Sequence, residues 1–330
     1  MHIVLYHHAV IPPPKYGGTE RVLYWLAKAL VKKGHRVSLI AQEGSAIPPK
    51  YGVEVIPIAR NESRWQDLVP NAADIIHLQS TPGKVPKKPF LVTIHGNGQP
   101  GEQFHPNTVF LSRKHAEIHN STHFVYNGID PDDYQCKPKR GDALVFLAKA
   151  SWKVKNLKGA IRIARESRQR LEIMGSRDWP FQLHRIRPTI RGIHYRGMCG
   201  DDEKRAVLSE AKALLFPVRW NEPFGLAPIE ALASGCPVFG TPYGSLPELI
   251  TPEIGFLSAD SREHVRALLN RQFSPETCRK TVLDRFTHHH MATKYLEYYE
   301  QILNDGSLSC LNGQEPRTLG DSGELLPWIN

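Results

Sequence analysis

The sequence predicts an α/β protein built from two Rossmann-like domains with parallel sheets and a ligand cleft between them. Two observations support this prediction. Short apolar runs alternate with amphipathic helical stretches, as in consecutive βαβ units, and this alternation stops at a polar stretch and then starts again. The length of 330 residues suits about two domains of ~150 residues each.

The first βαβ unit lies at the start of the chain. The apolar run at residues 2–7 predicts a buried strand, and a loop rich in proline and glycine follows it. From Thr19, apolar residues at helical spacing predict a helix that ends at Gly34, and residues 36–41 predict the next strand. Further strands are predicted at 75–79, 90–95 and 109–112. Because ligands of such sheets bind at the carboxyl ends of the strands, we expect a binding site there.

The expected domains are residues 1–135 and 143–287, joined by a linker at 136–142 that is rich in lysine and proline. In the second domain, strands are predicted at 143–147, 171–174, 193–196 and 213–218, and helices at 158–169, 202–212 and 263–269. A last amphipathic helix, 288–304, could return to the N-terminal domain. Residues 305–330 show little periodicity and remain an unassigned tail.

The charge balance is basic, with 42 Lys and Arg against 33 Asp and Glu and a net charge of +9. Such a balance admits nucleic acid, an anionic membrane surface or a phosphorylated ligand as a partner. Because the sequence has no basic run and no nucleic-acid-binding signature, we expect no nucleic acid partner. The anionic membrane surface stays admissible, and its candidate contacts are Lys28, Lys32, Lys33, Lys84, Lys87 and Lys88.

The location expected from the sequence is cytoplasmic, with peripheral association at the inner face of the cell membrane as an option. The five cysteines are widely spaced and contain no C-x-x-C pair, which fits a reducing compartment. The start of the chain lacks the features of a signal peptide, and no apolar run reaches the ~18 residues of a spanning helix.

Segment 220–250 contains the strongest chemical signal. Glu222 and Glu230 flank Pro228, which a first helical turn tolerates, and Gly235 ends the predicted helix. One carboxylate is therefore expected in a loop and the other in the opening turn of a helix, both at the carboxyl end of a parallel strand. Carboxylates at the start of a helix can also serve only to stabilise it, and the pair alone leaves that alternative open.

The residues around this pair resemble glycosyltransferase family 4. From Glu222 the sequence reads E-P-F-G-L-x-x-x-E-A-x-A-x-G-x-P-V, followed by G-S-L-P-E, which is similar to the donor-binding segment of that family. Weaker matches are P-x-x-Y-G-G-T-E at 13–20, T-I-H-G at 93–96, Y-N-G-I-D at 126–130 and M-A-x-x-Y-x-x-Y at 291–298. The resemblance spans roughly residues 1–304 and implies the GT-B fold and a retaining enzyme.

The resemblance implies the roles of the donor-binding residues. Glu230 would accept hydrogen bonds from the ribose hydroxyls of a nucleotide-sugar, and Glu222 would accept them from the hydroxyls of the sugar. Phe224, Gly225 and Leu226 would offer backbone N–H groups. These roles suit the residue types, because an ionised carboxylate is an acceptor that can bind paired hydroxyl donors.

Basic residues are needed for the diphosphate leaving group, whose negative charge grows as the glycosidic bond breaks. The resemblance implies Lys149 and Lys155 for this role. Lys149 stands where the family usually has arginine, so it keeps the charge but lacks the bidentate fork of a guanidinium. Lys153 and Lys158 are close enough in sequence that the phosphate-binding role could shift to them, and a solvated basic loop is the alternative for these two lysines.

In the first domain, the resemblance implies that His95 lies near the reacting sugar and that Gly17 and Gly18 let the backbone approach the diphosphate or the acceptor. The implied reaction is a same-face substitution that needs no metal and no other cofactor. The partners are a nucleotide-sugar, UDP-linked by preference, and an acceptor such as a lipid-linked glycan, a lipopolysaccharide or a small molecule. Biosynthesis of cell-envelope glycans is the expected setting.

Three other functions remain as alternatives. A catalytically silent sugar-nucleotide binding protein is favoured by Lys149 in place of arginine, and a UDP-sugar epimerase of the GT-B fold would use similar binding residues. A nucleic-acid binder driven by the net charge of +9 is the third and the least favoured. Residues 96–101 also match the dinucleotide fingerprint G-x-G-x-x-G formally. Pro100 lies inside that match and no amphipathic helix follows it, so NAD binding is disfavoured.

Overall fold

The computed structural model of the protein describes residues 1–15, 17–60, 62–175, 189–190, 192–319 and 324–330, with residues 189–190 described by their backbone alone. Tyr16 of the P-x-x-Y-G-G-T-E segment and residues 320–323 of the tail lie outside this description. The chain divides into two compact units. Unit 1 comprises Met1–Ile129 and Phe286–Ser322, and unit 2 comprises Asp130–Arg285 and Gly323–Asn330.

The described residues alternate between strands and helices along most of the chain. The strands are β1 (His2–Tyr6), β2 (Arg36–Gln42), β3 (Glu54–Ile58), β4 (Ile75–Leu78), β5 (Phe90–Thr93), β6 (Thr108–Val109), β7 (Leu144–Leu147), β8 (Leu171–Met174), β9 (Thr189–Ile190), β10 (Ile193–Gly197), β11 (Ala213–Phe216), β12 (Val238–Gly240) and β13 (Gly255–Leu257). The helices are α1 (Gly18–Lys32), α2 (Arg113–Glu117), α3 (Leu157–Glu166), α4 (Asp201–Glu210), α5 (Leu226–Ala233), α6 (Leu246–Leu249), α7 (Ser261–Asn270), α8 (Pro275–Arg285) and α9 (His288–Asp305). Within the described residues, none of these helices has both the length and the apolar character needed to cross a lipid bilayer.

Unit 1 is built on a six-stranded parallel sheet in the order β3-β2-β1-β4-β5-β6. Its central strands are buried apolar runs, and Ile3 pairs with Val37 on one side and Ile75 on the other. The strand order reverses at β1, which is the point where doubly wound sheets bind ligands at the carboxyl ends of their strands. This sheet confirms the Rossmann-like architecture predicted for the first part of the chain.

Helix α9 packs on the sheet of unit 1 through a buried polar network. His77 of β4 bonds to the hydroxyl groups of Tyr299 (2.7 Å) and Thr93 (2.8 Å). The Thr93 hydroxyl also bonds to that of Tyr295 (3.0 Å). Burial lowers the pKa of His77 to about 3, so its imidazole is neutral near pH 7. Because these buried groups bond to one another, the network fixes the position of α9 in unit 1.

Unit 2 is built on a seven-stranded sheet in the order β13-β12-β11-β7-β8-β10-β9, in which only β9, at the edge of the described sheet, runs antiparallel to its neighbour. Helices α3 and α7 cover it with side chains that pack in one core with those of the strands. This core includes Phe146, Ile163, Leu215, Phe239 and Leu268. The two sheets confirm the prediction of two Rossmann-like domains.

The unit boundary lies between Ile129 and Asp130, so the expected linker at 136–142 lies inside unit 2. Arg140 shows the physical reason. Its guanidinium donates to the carbonyl oxygens of Leu208, Ser209, Ala211 and Ser234 at distances from 2.6 to 3.1 Å. The polar residues of this stretch therefore belong to hydrogen bonds within unit 2 and not to a linker between the units.

The tail that the sequence leaves unassigned has a defined position in each unit. In unit 1, the Thr318 N–H donates to the Glu102 carbonyl oxygen (2.8 Å). In unit 2, the Ile329 N–H donates to Ala259 (2.7 Å), and Ser261 donates to Ile329 (2.9 Å). The tail makes these bonds through its backbone at isolated bridges, such as those of Arg317 with Gln103 and of Ile329 with Asp260, which are too short to show a periodic pattern in the sequence.

Several elements were not predicted, most of them because they are short. They are β3, β9, β12, β13, α2, α6 and α8. Strands β12 and β13 have three residues each, which is too few to show alternation. Helix α8 buries Cys278 and Val282 among its eleven residues, so its apolar face is too narrow for a helical period to show in the sequence.

Candidate functional site

The loop that follows β11 carries Glu222 and is held by residues 244–245. The Ser245 N–H donates to the Glu222 carbonyl oxygen (2.9 Å), and the Ser245 hydroxyl donates to that of Phe224 (2.6 Å). Gly244 has a φ of +60°, and a Cβ there would lie 2.2 Å from the Glu222 nitrogen. Only glycine allows this approach. The G-S pair of G-S-L-P-E therefore fixes the backbone at Glu222.

The Glu222 carboxylate lies in a buried ion pair. Its Oε2 accepts hydrogen bonds from Lys155 Nζ (2.6 Å) and from the Trp220 indole N–H (2.7 Å). The side chains of Lys155 and Glu222 are only 10% and 8% exposed. Lys155 Nζ also lies 4.6 Å from the centre of the Trp220 ring. The structure therefore brings together the carboxylate and the lysine for which the sequence predicts neighbouring roles.

Lys155 is positioned by the turn that precedes α3. Asn156 adopts a left-handed conformation, with φ of 54°, and its side-chain oxygen caps the helix by accepting the Gly159 N–H (3.1 Å). The adjacent Val154 carbonyl oxygen accepts the Arg219 N–H (2.7 Å). This bond joins the loop of Lys155 directly to the loop of Glu222, so the two side chains are held by connected backbone segments.

Lys149 occupies a different position from Lys155. It is exposed, and its Nζ lies 4.9 Å from the centre of the Trp152 ring. Trp152 in turn meets Trp220 edge to face, with ring centres 6.3 Å apart. Lys149 is thus linked to the ion pair through two indole rings rather than through a direct contact. Its ammonium group remains accessible to a ligand.

Glu230 lies in a second buried cluster. It is the fifth residue of α5 and so lies one residue beyond the opening turn that the sequence predicts for it. Its Oε1 accepts hydrogen bonds from the Tyr134 hydroxyl (2.8 Å) and from Lys204 Nζ (2.5 Å). Burial, together with the charge of Glu230, raises the pKa of Tyr134 well above its ordinary value. The Tyr134 hydroxyl therefore stays protonated and donates.

The start of α5 contains the three residues expected to offer backbone N–H groups. Gly225 is its N-cap and has a φ of +90°, which favours glycine. Phe224 is buried and anchors the loop in the core, while Leu226 is the first helical residue. Among the described side chains, none caps this helix. An uncapped helix start presents N–H groups that suit an anion.

In unit 1, His95 follows β5, and Gln79 follows the neighbouring strand β4. His95 Nε2 lies 2.8 Å from Gln79 Oε1. Because an amide oxygen only accepts, His95 donates through Nε2 and keeps Nδ1 as an acceptor. Burial, and to a smaller extent the charge of His7, lowers the pKa of His95 to about 3. The imidazole is therefore neutral near pH 7.

Gly17 and Gly18 connect β1 to α1. Gly17 is the N-cap and has a φ of +155°, and a Cβ there would lie 2.8 Å from the Pro13 Cβ. Gly18 is the first residue of the helix. The Arg21 guanidinium donates to the carbonyl oxygens of Lys15 and Gly17 and so holds this turn. Both glycines lie at the carboxyl end of β1, where the sequence predicts them.

Three residues that contact the two carboxylates were not predicted from the sequence, namely Trp220, Tyr134 and Lys204. Trp220 carries a signal, because it lies two positions before Glu222. Tyr134 and Lys204 carry none, because they are 96 and 26 positions away from Glu230. Within the described residues, no group of three or more His, Cys, Asp or Glu side chains is arranged to hold a metal ion.

A comparison with protein families identifies this part of the chain. Residues 134–281, which include both carboxylates and both lysines of the site, match the model of the family Glycosyl transferases group 1. This segment is a glycosyl transferases group 1 domain. A relative from Klebsiella pneumoniae, described as an uncharacterized 41.2 kDa protein in the cps region, is 27% identical over 154 residues, which is 44% of this chain. The match spans about two fifths of the length of that relative, 41%.

Solved structures share the fold of the whole chain. AviGT4, a glycosyltransferase involved in avilamycin A biosynthesis, has a TM-score of 0.78 at 22% identity over 93% of this chain and 99% of its own. The sucrose-phosphate synthase of Thermosynechococcus elongatus has a TM-score of 0.72 at 16% identity, over 92% and 99%. Anabaena HepE in complex with UDP and glucose has a TM-score of 0.69 at 15% identity, over 90% and 99%. These similarities show that the group 1 domain is part of a GT-B fold.

Proposed function

We propose that the protein is a retaining glycosyltransferase that moves a sugar from a nucleotide-sugar, preferably UDP-linked, to an acceptor hydroxyl. The observation that carries the proposal is the buried pair of Lys155 and Glu222 beside the start of α5, inside a glycosyl transferases group 1 domain. An ammonium group suits a diphosphate, and a carboxylate suits the hydroxyl groups of a sugar. The family and the fold support glycosyl transfer as the general activity.

Each side chain of the proposed donor site has a role that its contacts allow. The ammonium group of Lys155 has three N–H donors, so it can keep its bond to Glu222 and still donate to a phosphate oxygen. Lys149 is exposed and adds a second positive charge. Glu222 binds sugar hydroxyls and Glu230 binds ribose hydroxyls. The backbone N–H groups at the start of α5 contribute to anion binding.

The proposed chemistry is a substitution on one face of the sugar. The bond between the anomeric carbon and the diphosphate oxygen breaks, and its electron pair goes to that oxygen. The acceptor oxygen then bonds to the same face of the carbon, and its proton goes to the departing diphosphate oxygen. Fixed positive charge beside the leaving group lowers the barrier most, because negative charge develops there. His95 takes part as a neutral group whose Nδ1 can accept a hydrogen bond from a hydroxyl.

Relatives support the proposed donor and setting. HepE of the same fold was solved with UDP and glucose, which supports UDP as the nucleotide. The Klebsiella relative lies in a cps region, which supports an acceptor in cell-envelope glycan synthesis, such as a lipid-linked glycan. We propose that the protein works in the cytoplasm, with peripheral attachment to the inner face of the membrane.

The proposed membrane contact rests on exposed lysines of α1. Lys32 and Lys33 are exposed at its end, whereas Lys88 bonds to the carbonyl oxygens of Asn71 and Ala73 and is partly engaged. We expect binding to phosphatidylglycerol vesicles that weakens with salt, and weaker binding of a Lys32→Glu, Lys33→Glu variant. Equal binding to purely zwitterionic vesicles, or no binding at all, would refute membrane attachment.

Turnover with a panel of nucleotide-sugars tests the proposed activity. Release of the nucleoside diphosphate is measured for UDP-, GDP- and ADP-linked hexoses with simple glycosides as acceptors, and NMR reads the anomeric configuration of any product. We expect release from a UDP-sugar, product with retained configuration, and a loss of about 100-fold or more in Glu222→Gln and Lys155→Met. The exposed Glu253→Gln and Lys280→Met variants are matched controls. Inverted configuration would contradict the retaining mechanism.

A second candidate function is a catalytically silent sugar-nucleotide binding protein. The exposed position of Lys149 favours it, because this residue stacks on Trp152 and does not contact the Glu222 carboxylate. The two functions differ in turnover. A protein that binds a UDP-sugar but neither transfers nor hydrolyses it, with any of the acceptors, would favour the silent protein.

A further inference from the structure

The buried contacts of Glu230 engage only one of its two carboxylate oxygens. Oε1 accepts two hydrogen bonds, from the Tyr134 hydroxyl at 2.8 Å and from Lys204 Nζ at 2.5 Å. Both donors are buried, with Tyr134 2% and Lys204 5% exposed. Within the described residues, Oε2 receives no hydrogen bond. The carboxylate therefore has one oxygen bound by the protein and one oxygen left for another donor.

Lys204 and Tyr134 are themselves held rigidly. Lys204 Nζ also forms an ion pair with Asp201 Oδ1 (3.1 Å), one turn earlier on α4. The next residue, Arg205, pairs with Asp133 (3.4 Å) and lies 5.6 Å from the Tyr134 ring centre. These contacts tie α4 to the segment that ends at Tyr134. Both donors therefore meet Oε1 from fixed positions, and the carboxylate cannot turn without breaking two buried hydrogen bonds.

A buried lysine is costly unless it is paired, and pairing a buried carboxylate with a lysine seldom adds net stability over an apolar pair. The cluster is therefore poorly explained by stability alone. It is well suited to orienting a carboxylate, because two donors on one oxygen fix the plane of the group and the direction of the other oxygen.

We propose that Lys204 and Tyr134 are positioning residues that hold Glu230 so that its Oε2 faces the ribose hydroxyls of the nucleotide. This inference rests on the proposed function, which assigns Glu230 to the ribose. It adds two residues from outside the segment 220–250 to the determinants of nucleotide recognition. It also predicts that the loss of either residue weakens recognition of the ribose hydroxyls and leaves recognition of the diphosphate intact.

The test compares two ligands on several variants of the full chain. The dissociation constant is measured by calorimetry for the tightest binder among UDP, GDP and ADP and for its 2′,3′-dideoxy counterpart. In the unmodified protein, we expect the dideoxy ligand to bind about 10- to 100-fold more weakly, as for hydrogen bonds to a charged group. We call the dissociation constant of the dideoxy ligand divided by that of the parent nucleotide the discrimination ratio. In Lys204→Met, we expect the discrimination ratio to fall below about 3-fold, because Oε2 is no longer oriented. Affinity for the dideoxy ligand should be nearly unchanged.

Further variants separate positioning from folding. Lys204→Arg should have a higher discrimination ratio than Lys204→Met, because arginine keeps a charged donor at this position. Tyr134→Phe should lower the discrimination ratio by about 3-fold or more, and it removes only the hydroxyl group. This variant tests the proposal if the Lys204→Met protein does not fold. Lys280→Met, which removes an exposed lysine of α8, should leave the ratio unchanged.

The possible results distinguish this inference from the function on which it rests. If the unmodified protein does not bind the nucleotides, or binds both ligands equally, the proposed role of Glu230 fails and the inference fails with it. If the unmodified protein discriminates and both Lys204→Met and Tyr134→Phe keep the full ratio, only the inference is overturned. An equal loss of affinity for both ligands in these variants would also overturn it, because that pattern is expected of a purely structural cluster.

Discussion

Lys155 Nζ and Glu222 Oε2 lie 2.6 Å apart in a buried pair that also includes the indole N–H of Trp220. The pair joins the loop before α3 to the loop after β11, two loops that a backbone bond from Arg219 to Val154 also connects (2.7 Å). The charge proposed to bind a diphosphate and the charge proposed to bind a sugar are therefore paired with each other in the protein without a ligand. Stability and activity are expected to respond together when either residue changes.

The first prediction concerns the stability of this pair. Lys155→Met and Glu222→Gln should each destabilise the protein. The loss in Lys155→Met should be about 3–5 kcal/mol, because this change leaves a buried carboxylate without a counter-charge. The double variant should recover part of this loss and remain inactive. Urea unfolding of the unmodified protein, the two single variants and the double variant gives the coupling energy between Lys155 and Glu222. Additive losses in the double variant would show that the two charges do not interact.

The second prediction concerns the close approach of Gly244 to Glu222. Gly244→Ala should lower turnover by about 10-fold or more, because its Cβ would displace the Glu222 backbone. Gly34→Ala is the matched control, since Gly34 also has a positive φ, +87°, but has no atom within 4 Å of the added carbon. Backbone strain should lower the free energy of unfolding of each variant by about 1–2 kcal/mol. Gly244→Ala should be destabilised further, because its Cβ also clashes with the Glu222 backbone. Normal turnover in a folded Gly244→Ala protein would contradict the prediction.

The third prediction concerns pH and the buried histidines. Burial lowers the pKa of His77 and His95 to about 3 and that of His7 and His264 to about 4, from an ordinary value of 6.5. Below pH 6.5 the unfolded chain binds protons that the folded protein does not. The free energy of unfolding is therefore largest above pH 6.5 and falls with pH towards these lowered values.

Between its lowered pKa and pH 6.5, each of these histidines should contribute about 1.4 kcal/mol per pH unit to the slope of the free energy of unfolding against pH. His77→Gln should reduce the slope between pH 6 and 4 by about this amount, whatever its effect on stability at pH 7. Urea unfolding across the pH range measures it. A slope that the substitution does not change would show that His77 is already protonated in the folded protein.

The fourth prediction concerns the tail in unit 2. The Leu326 N–H donates to the Arg219 carbonyl oxygen (2.9 Å), and Arg219 Nε donates to that of Leu326 (2.8 Å). Removal of residues 324–330 should therefore loosen the loop of Trp220 and Glu222 and raise the KM for the donor by about 10-fold. Leu325→Ala, at a side chain that is 41% exposed, should have no effect. An unchanged KM in the folded truncated protein would show that the tail does not support the proposed donor site.

The sequence predicted the parts of the fold and site whose determinants are local. The alternation of apolar runs and helices predicted both sheets, and the resemblance of short segments to glycosyltransferase family 4 singled out Glu222, Glu230 and Lys155 as candidate site residues. Lys204 and Tyr134 could not be identified in this way, because only the folding of unit 2 brings them to Glu230. The tail was missed for a similar reason, since its backbone bonds to residues far away in the sequence.

A crystal structure of the full chain with the nucleotide-sugar that it turns over tests the proposed donor site. The account predicts sugar hydroxyls on Glu222, ribose hydroxyls on Oε2 of Glu230 and diphosphate oxygens on Lys155. A nucleotide-sugar bound with its diphosphate away from Lys155, or with neither carboxylate in contact with a hydroxyl group, would contradict it.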